Sequence, residues 1–191
     1  MYAYCNNNPA NNTDPTGHCF IKNAYKWLVK TIAKPVVNYL QKKTENTPNI
    51  TTTTGYSWSA AFGVSAAHSI GITRDMKGNI GVIVTDGAGG GFPTASFNSF
   101  STISTAPTIY EQEGLGFVTG GSVDVAGISV GGEYGLCKNP DTNEAYHSFS
   151  VMGGVGAPIP AEFHGEVTHS RVYGINIYDQ ANELFDAILA W

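Results

Sequence analysis

From Ser57 to Thr73 the sequence alternates with period two: the even positions are Trp58, Ala60, Phe62, Val64, Ala66, His68, Ile70 and Ile72, and the odd ones are Ser, Ala, Gly and Thr. On an extended strand this alternation makes one bulky face and one small face, and no helix can use it. Asp75 to Asn79 read as a turn, and Ile80, Val82 and Val84 resume the pattern, so residues 57–86 form a β-hairpin. Asp86 to Pro93, with Gly87, Gly89, Gly90 and Gly91, reads as the next loop. Further strands are expected at Thr94–Ser104, at Gly116–Leu136 with a bulge near Ala126 and Gly127, at Ala145–Val155 and at Glu162–Tyr173. Lys138 to Glu144, with Asn139, Pro140 and Asp141, is a turn.

The fold class expected is therefore mainly β, an antiparallel meander whose exposed edges closure into a barrel would remove. A Gly content of 23 in 191 residues and a charged fraction of 13%, about half the usual value, agree with β-structure and exclude a long helical bundle. No run of 18 apolar residues occurs, which excludes a single membrane-spanning helix, and Met1 to Asn6 lack the basic and apolar regions of a secretion signal. Export of this chain on its own is not expected. Cys5, Cys19 and Cys137 form no CxxC pair and no metal-ligand spacing. Neither a metal site nor a cofactor is expected.

Charge divides the chain more sharply than its net −5 suggests. Residues 20–55 hold six lysines against Glu45, net +5, and residues 56–191 are net −9. Residues 20–43 read as a basic amphipathic helix: Lys22, Lys26, Lys30 and Lys34 recur every four residues, and Ile21, Tyr25, Leu28, Val29 and Ile32 follow the helical repeat. Pro35 should kink or end it. Such a face is most simply solvated, and the same lysines are the candidate contacts with an anionic membrane. Residues 44–55, rich in Thr and Asn, read as a linker or extended lead-in to a β-domain of residues 56–191. At the tail, Leu184, Ile188 and Trp191 predict a short helix packed on the sheet, with Asp179 at its N-cap.

The opening YAYCNNNPANNTDPTG resembles the end of the core region of RHS (YD-repeat) proteins, bacterial polymorphic toxins. The resemblance covers about residues 1–19 and is carried by Tyr2, Tyr4, the Asn7-Asn8-Pro9 turn and Asp14-Pro15-Thr16-Gly17. It implies that the chain is a variable C-terminal tip, severed from an upstream shell of repeats. Such a tip is bacterial, secreted or delivered as part of a larger protein, with the shell and an immunity protein as partners. It also implies that Asp14 belongs to a self-cleavage motif, whose upstream partner aspartate is absent here. His18 stands where that family more often has an apolar residue. An Asp-Pro turn initiator is the simpler role for Asp14. The segments GYSWSAAFGVSAAHSIGITRDMKGNIG, APTIYEQEGLG and AEFHGEVTH resemble an uncharacterised Gly-rich tail that follows such cores, which implies no activity.

Candidate chemistry in the β-domain is sparse. Glu162, His164 and Glu166 lie two apart and share one strand face, so that a carboxylate could orient an imidazole as a general base. An ordinary solvent-facing strand has the same pattern, with Phe163, Val167 and Tyr173 opposite. His164 and His169 fall on opposite faces and make a poor metal pair. Glu111 and Glu113 offer a carboxylate pair in a structured connection. Gly87 to Gly91 lack the Lys-Ser/Thr of a phosphate-binding loop. A β-domain at net −9 disfavours nucleic acid. The expectation that follows is a toxin or effector tip of unassigned activity, built as a soluble β-barrel binding module with the bulky faces as its core. The alternatives are a membrane-active, pore-forming tip and a hydrolytic tip using His164 and Glu166. Against the membrane alternative, residues 94–102 give no continuous apolar face, and aromatic girdles are not evident.

Overall fold

The computed structural model describes residues 18–44, 47–125, 127–139, 142–157 and 161–190. These form two compact units, a β-unit spanning Thr47–Asn176 and a helical unit containing the three α-helices. The RHS-like opening, Asp14 included, lies outside the described residues.

In the β-unit, β1 (Thr51–Asp75) and β2 (Asn79–Ser104) form a hairpin that is antiparallel along its whole length. Strands of 25 and 26 residues would extend roughly 80 Å, far beyond a small domain, so the ribbon must bend. The bend falls where the register shifts between Ala61 and Gly63. Gly63 has φ 80, which a residue with a side chain rarely adopts. On its other edge β2 takes β6 (Glu162–Asn176) along its first half and β5 (Ala145–Gly156) along its second. Strands β4 (Ile128–Lys138) and β3 (Gly114–Val125) complete the circuit from β5 back to β6. The result is a closed antiparallel barrel.

The bend also brings the two halves of β1 together. The Thr53 hydroxyl donates to Thr73 Oγ1 at 3.0 Å, and Arg74 Nε donates to Thr52 Oγ1 at 3.2 Å. At Gly55 a Cβ would lie 2.1 Å from the Ile70 carbonyl oxygen, so only glycine allows the approach.

Several expected boundaries are corrected. The Gly-rich stretch is strand: Gly87 to Gly91 pair with β1 on one side and β6 on the other. At Gly89 a neighbouring backbone lies close, Gly165 O being 2.0 Å from where a Cβ would sit, and at Gly87 a Cβ would lie 2.7 Å from Glu166 Oε2. Of the bulge expected near Ala126 and Gly127, Ala126 lies outside the described residues; Val125 of β3 pairs with Ile128 of β4, so the chain reverses between these strands, and Gly127 has φ 85. β1 starts at Thr51, within the stretch read as lead-in.

The largest correction concerns which face is inside. Along β6, Glu162, Glu166, Thr168 and Ser170 are 3%, 5%, 8% and 8% exposed, whereas Phe163, Val167 and Tyr173 are 70%, 58% and 64% exposed. The same inversion runs round the barrel. Thr51, Thr53, Ser65, Thr73, Ser96 and Ser129 are buried, and Trp58, Phe62, Val64, Ile72, Phe97 and Val130 are exposed. Alternation specifies two faces of a strand but not which one the closed sheet encloses. Here the narrow interior takes the small residues. Among the described residues of the β-unit the buried apolar side chains are Ile83, Ala106, Ile109, Tyr146, Met152 and Val172, of which Ile83, Ile109 and Val172 form a small cluster.

In the helical unit, α1 (His18–Leu28) and α2 (Lys34–Thr44) are joined without a break by a π-helical segment, Val29–Ala33. Pro35, the second residue of α2, therefore does not end the helix. The wider π turn, with Lys34 N–H donating to Val29 O, re-routes the hydrogen bonds just before the proline ring. α3 (Ile177–Ala190) begins two residues earlier than expected, with Asp179 in its first turn rather than at the cap. There its charge favours the helix N-terminus. α3 packs with α2: Gln41 Nε2 donates to Asp179 Oδ1 at 3.3 Å, Asn182 Nδ2 donates to Gln41 Oε1 at 3.4 Å, and Lys34 pairs with Asp186.

Replacing Gly55 by Ala should destabilise the β-unit by about 3 kcal/mol, since the added methyl meets backbone that cannot move without opening the barrel. Equilibrium unfolding of both proteins measures this, and an unchanged midpoint would contradict the close approach of the two halves of β1.

Candidate functional site

The barrel interior is a polar space built by cross-strand hydroxyl pairs. Thr102 and Ser150 lie 2.7 Å apart, Thr85 and Ser170 2.8 Å, and Ser59 and Ser96 2.9 Å. Near one end, Gln112 Nε2 donates to Thr73 Oγ1 at 3.1 Å and the Thr51 hydroxyl donates to Ala106 O at 2.7 Å. The pairs form because β-branched and hydroxyl side chains directly opposite one another in a ladder come within reach. They enclose a cavity of about 150 Å³ bordered by Thr102, Ser150, Ser170, Glu133, Glu166 and Met152. A polar cavity of this kind is suited to water or to small polar solutes.

His164, Glu162 and Glu166 face this interior rather than solvent, which corrects the solvated-strand expectation. His164 Nε2 lies 3.1 Å from Glu133 Oε1, and its Nδ1 lies 4.0 Å from Glu162 Oε1. The sequence pairs His164 with neighbours on its own strand, but its hydrogen-bonded partner is Glu133 of β4. Gly120 of the intervening β3 pairs with Glu133 on one side and His164 on the other, so the two side chains meet along the inner wall over a glycine, where a Cβ would lie 2.5 Å from Glu133 Cγ. The hydrogen bond gives the imidazole a carboxylate partner in Glu133, while Glu162 Oε2 has no hydrogen-bond partner among the described residues.

Glu111 and Glu113 do not act as a pair. Glu111 lies in a short 3₁₀ turn, Ile109–Gln112, and accepts from Asn139 Nδ2 at 2.6 Å, while Glu113 is exposed. Among the described residues, no group of three or more His, Cys, Asp or Glu side chains is placed to share a metal ion. Of the candidate membrane lysines, Lys30 is exposed, Lys34 is engaged by Asp186, and Lys22 and Lys26 are half-buried.

Two groupings escaped the sequence reading. On the outer wall Asp86 accepts from Arg171 Nη2 at 2.7 Å and lies 2.7 Å from His68 Nδ1. Inside, Asp124 is 6% exposed, and neither of its carboxylate oxygens has a partner among the described residues. The sequence signal for the first is that His68, Asp86 and Arg171 interrupt otherwise apolar faces. Asp124 alternates with Val123 and Val125, and this pattern marks it as inward only once the polarity of the barrel is known.

No known protein family matches the chain, and no curated protein does. Among solved structures, virulence-associated protein VapB from the intracellular pathogen Rhodococcus equi is similar at 7% identity, covering 64% of this chain and 97% of that one, with a TM-score of 0.33. Green fluorescent protein GFPA1 from amphioxus is similar at 7% identity, covering 60% and 93% of the two chains, with a TM-score of 0.25.

Proposed function

We propose that this chain is a membrane-active β-barrel, the variable tip of an RHS-type bacterial protein. The single observation that carries the membrane reading is the inverted polarity of a closed barrel, with hydroxyls and carboxylates inside and Val, Ile, Leu and Phe outside. Lipid tails offer backbone groups no hydrogen bonds, so only helices and closed barrels suit them, and a polar lumen with an apolar exterior is the pattern of membrane-spanning barrels.

Strand length agrees with this reading. β3 to β6 have 12, 11, 12 and 15 residues, and a tilted strand needs about 9–11 to cross the hydrocarbon layer. The outward hydroxyls that break the apolar face of residues 94–102 are not all free: the Ser99 hydroxyl donates to Gly153 O at 3.0 Å. On β3 the Thr119 hydroxyl likewise donates to His164 O of the neighbouring β6 at 3.2 Å. Arg171 and Asp86 neutralise each other on the wall. In the helical unit Tyr25, Trp27, Ile32, Val36 and Tyr39 are exposed along with Lys30, Lys42 and Lys43, a composition suited to the interface of an anionic membrane.

The soluble binding-module reading depended on bulky faces forming the core, and those faces point outward. The RHS assignment rests on Tyr2, Tyr4, Asn7, Asn8, Pro9 and the Asp14–Gly17 motif alone. In that setting an upstream shell would cover the apolar wall before release inside or outside a bacterial cell, and an immunity protein would protect the producer.

The test is to dilute unfolded full-length chain into vesicles and follow Trp fluorescence, protease protection and dye release. Insertion should blue-shift the emission and protect the barrel strands. Val130→Arg, on the outer wall, should reduce the inserted fraction by about 2–4 kcal/mol, while the inward Ser148→Ala should change it little. A chain that folds as a monomer in plain buffer and ignores vesicles would overturn the reading.

Two further outcomes separate the alternatives. Lys30→Ala and Lys42→Ala should each weaken binding to anionic vesicles about fivefold, near 1 kcal/mol, with the difference fading at high salt. His164→Ala, if folded, should retain dye release; loss of every activity with the fold intact would favour the hydrolytic reading.

A further inference from the structure

Five inward-facing side chains toward the β3–β4 turn end of the barrel carry buried oxygens with no partner among the described residues: Asn98 Oδ1, Ser122 Oγ, both Asp124 oxygens, Ser129 Oγ and Glu162 Oε2. Their clustering follows from the ladders. Asn98 pairs with Gly154, Gly154 with Ser129, and Ser129 with Asp124, so one continuous row crosses β2, β5, β4 and β3. Ser122, the next inward residue of β3, pairs with Glu162 of β6.

The floor of this row is glycine. A Cβ on Gly154 would lie 2.6 Å from Asn98 Oδ1, and one on Gly156 would lie 2.8 and 3.0 Å from the two oxygens of Asp124. The amide oxygen and the carboxylate thus lean over adjacent inward positions of the same strand, in space that any side chain would occupy. The residues are well enclosed: Ser129 is 0% exposed, and Asn98 and Glu162 are each 3% exposed.

A buried carboxylate with no donor is unfavourable unless something cationic meets it. The donor set here is all oxygen, two carboxylates, an amide and two hydroxyls, with neither sulfur nor imidazole. His164 does not fill that role, since it approaches the other oxygen of Glu162 and is hydrogen-bonded to Glu133. Hard divalent cations take such sets, and the irregular, many-membered arrangement suits calcium's flexible coordination better than the strict octahedron of magnesium.

We infer that Asp124, Glu162, Asn98, Ser122 and Ser129 form a calcium-binding site inside the barrel, with Gly154 and Gly156 making room for it. The site is independent of whether the barrel enters a membrane. Calcium would cross-link β2, β3, β4 and β6 from within, joining strands far apart in sequence.

The experiment is calcium binding to the EDTA-stripped full-length chain, folded in detergent micelles, by equilibrium dialysis and by thermal unfolding. One calcium per chain should bind, and at a hundredfold excess over Kd the melting temperature should rise roughly 5–10 °C, with magnesium giving much less. Asp124→Asn should abolish the rise. Gly156→Ala, which fills the cradle while keeping every donor, should weaken binding at least tenfold, and Asp86→Asn on the outer wall should leave it unchanged. Absence of binding by the parent chain, or equal binding by Gly156→Ala, would overturn the site. The parent measurement decides the matter even if Asp124→Asn fails to fold.

Discussion

β2 is hydrogen-bonded along both edges over most of its 26 residues, to β1 on one side and to β6 and then β5 on the other. A strand that serves two successive neighbours must bend between them. The bend folds the hairpin so that β1 meets itself, and it lets the four remaining strands close the ring. Closure then decides what fits inside. Glycine and hydroxyl residues allow the halves of β1 to approach and pair, each buried hydroxyl bond contributing about 1 kcal/mol net. The bulky residues that alternate with them are left on the outside by the same geometry.

That arrangement makes the stability of the barrel depend on its surroundings more than on its interior. Apolar surface transferred out of water contributes about 25 cal/mol per Å², and in this fold most of that surface lies on the outer wall, where folding alone does not remove it from water. The interior contributes hydrogen bonds and one imidazole–carboxylate group, which are weaker sources of net stability. An apolar environment round the wall would supply the missing term. It would also strengthen the ladder hydrogen bonds by excluding competing water.

Much of the fold was legible in the sequence. Period-two alternation, the Asp75–Asn79 turn and the Lys138–Glu144 turn locate most strands, and Glu162, His164 and Glu166 were correctly assigned to one face. The polarity of the barrel was not legible, because a strand pattern is symmetric with respect to its two faces and the usual preference for burying bulk supplies the wrong choice here. The same gap hid the site. Glu133 meets His164 over Gly120 of the strand between them and Asp124 leans towards Gly156 from two strands away, and both relations depend on strand order and register rather than on sequence spacing. Gly87 to Gly91 differ from the loop reading for a related reason: glycines that mark loops in open structure here line a paired strand, where Gly89 lies against the Gly165 backbone and Gly87 against the Glu166 side chain.

The two ends of the barrel differ in a way that bears on direction. Thr51 and Asn176, through which the chain enters and leaves, lie at the same end as the turn after Asp75, the segment holding Glu111 and Glu113, and the turn from Lys138 to Glu144. At the opposite end β2 bends near Phe92 and β3, β4, β5 and β6 have their Val125, Ile128, Gly156 and Glu162 ends, and the sequence joining those ends, residues 126–127 and 157–161, contains no charged residue. Carrying a charge through hydrocarbon is unfavourable, whereas short uncharged turns pass readily. The two carboxylates at that end, Asp124 and Glu162, face inward, so a barrel of this design entering a bilayer would lead with the end whose connections carry no charge and keep both chain connections at the surface from which it came.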